Sequence, residues 1–201
     1  LQDIYNSHWS SFISNGKRIT NPSPTNPLLI QLDEETHKNS DIKIMICGQE
    51  TWGWSVFGDD IHKTSKLYHD FFVLENFYDG YGVSAFWKAY RYFKGRLNEE
   101  FPNKKLSFIW QNLSKIGRND GETGVTQEIR ELERTSFPVL SDEIEILKPD
   151  ILLFLSGPDR DHDISFHFPD ATYNAVDGEP NLRALCHVNS KLLPEKTFRT
   201  Y

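Results

Sequence analysis

The chain of 201 residues predicts an α/β fold, a three-layer α/β/α sandwich around a mainly parallel central sheet. Three observations predict it. Apolar runs at 42–47, 106–110 and 151–155, interrupted only by Lys43 and Ser107, have the length and near-continuous hydrophobicity of strands buried on both faces. Segments with apolar residues three or four apart separate these runs, as the crossover helices of a parallel sheet do. Each run also ends in glycine or a polar side chain rather than in a hairpin turn: Gly48, then Gln111-Asn112, then Ser156-Gly157. At this length one domain, 1–201, is the default, with residues 1–27 forming an N-terminal helix and a proline-rich connector.

Element by element, Ile4, Tyr5, Trp9, Phe12 and Ile13 give a helix over 3–14. The prolines of 21–27 cannot continue it, so this stretch reads as a surface connector. After the first strand, 48–60 is a loop, and Leu67, Phe71, Leu74 and Phe77 predict a helix over 62–77. Asp79-Gly-Tyr-Gly82 ends that helix, and Ser84 is placed to cap the next, whose Phe86 and Trp87 read as core. Beyond the second strand, 117–124 is an exposed loop. Thr126 opens a long helical region that Pro138 interrupts and Lys148-Pro-Asp150 ends. Two weaker strands at 172–176 and 183–187 follow the third core strand, and the chain finishes in a strand-like run, 197–201.

Composition narrows the function. The net charge is −7, against the basic footprint usual for nucleic-acid binding, so a nucleic-acid partner requires a local basic patch. Lys115, Arg118, Lys191, Lys196 and Arg199 are its candidates. No window is apolar for the length of a membrane span and no signal peptide opens the sequence, which predicts a cytoplasmic protein without membrane contact. The two cysteines, Cys47 and Cys186, sit in strand-like runs and read as buried free thiols; no Cys/His spacing suggests zinc. The cluster Asp159, Arg160, Asp161, His162, Asp163 and His167 is too irregular for a metal site and reads as a solvated loop. No nucleophile elbow, Walker-type phosphate loop or dinucleotide fingerprint occurs. No metal and no cofactor are expected.

In open α/β sheets ligands bind beyond the carboxyl ends of the strands, which here carry the chemistry. Gln49 brings an amide able to read a polar edge and Glu50 a carboxylate able to activate water. Trp52 and Trp54 bring flat faces on which a ring can stack. Asn112 adds a second amide; Ser156 and Gly157 make a tight turn whose N–H can meet a phosphate. Each has a structural reading beside this one: Glu50 as a helix cap, the amides as partners of turn backbone, the tryptophans as lids on the core.

In their order and intervals these three strand ends resemble the uracil-DNA glycosylase-like superfamily. Gly48, Gln49 and Glu50 are similar to the opening of that family's Gly-Gln-Asp-Pro-Tyr-type loop, with Glu for Asp and Thr51-Trp52 for Pro-Tyr. Asn112 falls where the family places a base-reading Asn, and 146–157 resembles the passage before its last motif. The resemblance spans 42–201. It implies a nucleobase held by Gln49, Asn112 and Trp52, turn or phosphate contacts from Gly48, Ser156 and Gly157, and Glu50 as catalytic carboxylate in hydrolysis of an N-glycosidic bond. The implied partner is single-stranded or damaged DNA, or a nucleotide, and a base within a duplex would have to be flipped out. The family's second signature, a His-Pro after the last strand, either follows Tyr201 or is lacking in this protein; His187, within an earlier strand-like run, is not given that role. The alternative is a non-catalytic relative that binds a nucleotide, nucleic acid or protein partner, and a third is an unrelated flavodoxin-like hydrolase.

Overall fold

A computed structural model describes residues 1–200. Helix α1 (Gln2–Gly16) buries Tyr5 and Phe12, two turns apart on one face, and carries Asp3 in its first turn, where the helix dipole favours an anion. Strand β1 (Pro24–Pro27) follows. The predicted surface connector is therefore in part a buried strand, in which Asn26 donates to Thr64 Oγ1 at 2.9 Å and accepts from Gly58 N at 2.9 Å. Proline stops the helix, but side-chain hydrogen bonds replace the backbone donors it lacks.

A short helix α2 (Glu34–Lys38) leads to strand β2 (Ile42–Glu50), three residues longer than its apolar run. Helix α3 (Ile61–Tyr68) is capped by Asp60, whose carboxylate accepts from His62 N and Lys63 N at 2.9 and 3.1 Å. It ends well short of the predicted 62–77, giving way to a π-helical turn (His69–Val73) and a 3₁₀ turn (Asn76–Tyr78). The cause is aromatic packing: the sequential Phe71 and Phe72 both reach the Trp110 ring, at 5.5 and 6.2 Å between centroids, which overrides the 3.6-residue period. Ser84 caps helix α4 (Ala85–Glu100) as its position predicts, accepting from Trp87 N at 3.3 Å.

Strand β3 (Leu106–Ser114) outruns the predicted 106–110, and the short β4 (Ile116–Arg118) takes the first two residues of the expected loop 117–124. Thr126 caps helix α5 (Gln127–Ser136), Pro138 separates it from helix α6 (Leu140–Leu147), and strand β5 (Ile151–Leu155) matches its prediction. The predicted solvated loop 159–167 instead forms a 3₁₀ turn and helix α7 (Asp161–His167), with Asp163 and Ile164 buried. Strands β6 (Thr172–Ala175), β7 (Leu185–Asn189) and β8 (Lys196–Thr200) complete the fold; the predicted last residue of the final strand, Tyr201, lies outside the described residues.

The central sheet is mixed, with six strands in the order β3-β2-β5-β8-β7-β6, flanked by helices. The first four strands are mutually parallel and β7 and β6 are antiparallel additions. β1 and β4 pair separately. Ile44, Met45, Ile46 and Cys47 on β2 are fully buried, the burial on both faces that an unbroken apolar run requires. At the outer edge of β3 the two backbone groups of Trp110 are taken up by Tyr68, whose hydroxyl donates to Trp110 O at 2.9 Å and accepts from Trp110 N at 3.0 Å. Both cysteines are buried and unpaired. Among the described residues no helix is long and apolar enough to cross a membrane.

Candidate functional site

Parallel register brings the sequence motifs together. Gly48 on β2 stands opposite Asn112 on β3, and Glu50 opposite Ser114. From β2, Gln49 donates its amide to Ser156 O at 2.9 Å, joining the first strand end to the third. The N–H groups of Ser156 and Gly157 both donate to Thr200 O, at 3.1 and 3.0 Å, which closes the turn on β8 and leaves neither N–H for a phosphate. Gly48, Gln49, Glu50, Asn112, Ser156 and Gly157 thus share the carboxyl end of the sheet.

Gly48 is required by contact. A Cβ there would stand 2.5 Å from Asn112 Oδ1 and 3.0 Å from the Phe86 ring. An amide and an aromatic ring therefore converge on bare backbone. Asn112 is 3% exposed, with its amide donating to Thr51 Oγ1 at 3.1 Å and accepting from Trp110 Nε1 at 3.3 Å. Glu50 is held by two donors, Gly124 N at 2.6 Å and Arg160 Nη2 at 2.7 Å.

The tryptophans divide. Trp52 is 56% exposed and donates to Gly121 O at 3.0 Å, so its ring lies with the 117–124 loop. Trp54 turns inward, edge-on to Phe71 and Trp110 with centroids 5.6 and 5.4 Å away. Its buried Nε1 has no partner among the described residues.

No family model matches the chain, and the curated proteins and solved structures compared with it contain no match.

The largest departure from the sequence reading concerns charge. Lys115, expected in a surface patch, has no exposed side-chain surface and bonds both oxygens of Glu143 at 2.8 Å. Arg199, also expected there, is 2% exposed and pairs with Asp161 at 3.0 Å. Arg118 is tied to Asp120, which leaves Lys191 and Lys196 as exposed members. The five do not form a patch, because Lys115, in the link between β3 and β4, and Arg199, on β8, turn inward to the carboxylates of Glu143 and Asp161.

In their place the fold joins Arg160, Asp163 and His167, read from the sequence as part of a solvated loop, to Glu50 and helix α5 in a largely buried ionic cluster. Arg160 links Glu50 to Asp163, whose carboxylate also receives Arg134 Nη2 at 3.1 Å and has Arg130 Nε 3.7 Å away. The sequence marked Arg160, Asp163 and His167 as a charged group, and the i, i+4 spacing of Arg130 and Arg134 on α5 was a further signal; what it did not show was that these groups meet one another and Glu50. Glu133, beside them, accepts from Lys115 N and Ile116 N at 2.9 and 3.2 Å, yet burial raises its carboxyl to about 7. His167, enclosed next to Asp163, is pushed down to about 4 by loss of hydration. Burial also raises the Cys47 thiol, so it is an inert core group rather than a nucleophile. Among the described residues no three His, Cys, Asp or Glu side chains are grouped to hold a metal ion.

Proposed function

We propose that this protein recognises a nucleobase at the carboxyl end of its sheet and hydrolyses the N-glycosidic bond that joins the base to its sugar. The observation that carries this reading is the convergence of the Asn112 amide and the Phe86 ring on the backbone of Gly48, two residues from the Glu50 carboxylate. A base needs those groups: an amide able to donate and accept along its edge and a ring against its face. Cleavage makes the sugar cationic and the departing base anionic, and a carboxylate stabilises the sugar or orients the attacking water. The resemblance of Gly48-Gln49-Glu50 and Asn112 to the uracil-DNA glycosylase-like superfamily supports the same roles. Asn112 reads the base, Gln49 fixes the β2–β5 junction through Ser156, and Glu50 acts on the sugar side.

A second reading, a relative that binds without cleaving, is favoured by one contact: Arg160 already neutralises Glu50. Release of free base from uracil-containing single-stranded and mismatched DNA separates the two. Glu50→Gln should lower turnover by about 10²-fold or more with affinity retained, because its charge matters when the sugar becomes cationic. Asn112→Ala should relax discrimination between bases. Binding without release, unchanged by Glu50→Gln, selects the non-catalytic reading; neither binding nor release removes both.

A further inference from the structure

Between β2 and β3 the chain leaves regular helix at Tyr68 and returns to it at Ala85, and this irregular segment presents large side chains to solvent. Leu74, Tyr78, Tyr81 and Val83 are all exposed, Tyr78 by 43% and Tyr81 by 49%. Aromatic contacts connect the segment to the candidate site. Tyr81 packs edge-on against Phe71 at 5.3 Å, Phe71 against Trp54 at 5.6 Å, and Trp54 against Trp110 at 5.4 Å; Trp110 Nε1 then meets Asn112. Arg91 of α4 sits over the Tyr78 ring at 5.6 Å. Its Nη1 would be 2.5 Å from a Cβ on Gly82, so the missing side chain at Gly82 makes room for the guanidinium beside Tyr81.

We propose that Tyr78, Tyr81 and Arg91 form a landing for a single strand of nucleic acid leading to the Asn112 site. This rests on the reading of that site as nucleobase-binding. Ring faces accept bases of any sequence, and an adjacent guanidinium adds contact with a base or a phosphate. The charge balance selects a single strand over a duplex. Lys88 and Arg91 have no salt-bridge partner among the described residues, whereas Lys94 is paired with Glu75 and Lys66 with Asp70, and Asp79 is exposed nearby. Two free cations cannot hold the doubled phosphates of a duplex, whose binding is driven by many such contacts. Stacking can carry a strand with few of them.

The test is fluorescence anisotropy with undamaged oligothymidylate and oligouridylate of about 12 nucleotides, a length within single-strand site sizes. Tyr81→Ala and Tyr78→Ala should each weaken binding by about 5-fold or more. Arg91→Gln should make the dependence of log K on log salt shallower by about 0.7. Phe166→Ala, an exposed ring on α7, should change neither. Equal affinity for the two oligomers assigns the landing to stacking in general, and preference for one assigns it to that nucleic acid. The proposal is overturned by absence of binding at low salt, by Tyr81→Ala and Tyr78→Ala variants that melt like the parent and bind as well, or by loss equal to theirs in Phe166→Ala. It is also overturned if Tyr81→Ala alters self-association instead. Failure here is distinct from failure of the site reading: oligomer binding is read without base release, and base release can persist in Tyr78→Ala and Tyr81→Ala.

Discussion

Replacing Lys115 by methionine should be among the most damaging single changes in this protein, and replacing Glu143 as well should undo most of the damage. The Lys115 ammonium meets both Glu143 oxygens at 2.8 Å and Gln111 Oε1 at 3.0 Å, with neither charged side chain exposed. Glu143 is further bound by Tyr5 Oη and Gln111 Nε2, each at 2.5 Å. Lys115→Met leaves those two donors on a carboxylate with no counter-charge, an uncompensated buried anion that costs about 3–5 kcal/mol. Glu143→Gln strands the cation at a similar cost. In the double variant both charges are gone, and the amide carbonyl introduced in place of the carboxylate can still accept from Tyr5. We expect a net loss of only about 1–2 kcal/mol and a coupling energy of at least about 3 kcal/mol. Against a total stability of about 5–15 kcal/mol these differences are readily measured by urea unfolding followed through tryptophan fluorescence. Burial already raises the Glu143 carboxyl, and removing Lys115 raises it further. The Lys115→Met deficit should therefore shrink as pH falls and the carboxyl takes up a proton. Single variants that each cost less than about 1 kcal/mol, or a double variant equal to the sum of the singles, would refute the reasoning.

Glu133 and His167 should impose opposite pH slopes. Glu133, raised from 4.5 to about 7, contributes stability that is full below pH 4.5 and lost as pH rises to about 7. His167, lowered from 6.5 to about 4, contributes stability that is full above pH 6.5 and lost as pH falls to about 4. Urea melts across this range should thus show a steeper loss with rising pH in His167→Asn and the reverse tilt in Glu133→Gln; parallel curves for parent and variants would contradict it. Gly48→Ala should cost about 1–3 kcal/mol, because its Cβ would press on Asn112 Oδ1 and the Phe86 ring; a neutral melt would show that these groups yield freely. Tyr68→Phe removes one hydroxyl that serves two backbone groups of Trp110, and should lower stability by about 1–3 kcal/mol with no change in m-value.

What could be read from the sequence was whatever hydrophobicity alone decides. β5 is apolar throughout and buried throughout, so its run of Ile151-Leu-Leu-Phe-Leu155 marks both its ends. Ser84 and Thr126 announce helices because their hydroxyls satisfy local N–H groups, a short-range event. β2 and β3 could not be bounded in this way. Their last residues, Gln49 and Glu50 on β2 and Gln111, Asn112 and Ser114 around Leu113 on β3, are mostly polar, and what keeps them in the sheet is partners distant in sequence: Ser156, Gly124, Thr51 and Glu143. The same blindness sent Lys115 to the surface, since the carboxylate that permits its burial lies 28 residues away. Gly48, Glu50 and Asn112 were nonetheless legible as a group, because parallel strands place their carboxyl ends side by side whatever the register. Phe86 was not, since helical spacing shows that a ring points inward and not what it meets.

How these hydrogen bonds are spent bears on selectivity. Asn112 uses one amide N–H on Thr51 and one lone pair of its oxygen on Trp110, which leaves a second N–H and a second lone pair. On the proposed reading a base meets that remaining donor and acceptor. A ligand edge with adjacent acceptor and donor satisfies both. One that offers only donors, or only acceptors, strands a buried polar atom at about 1–3 kcal/mol, a 5- to 150-fold penalty in affinity. Glu50 obeys the same logic, because a neutral ligand gains little from a carboxylate already balanced by Arg160, whereas a sugar turning cationic competes with that guanidinium directly. On the proposed reading the site thus favours the edge that matches Asn112 and acts on charge only as charge develops.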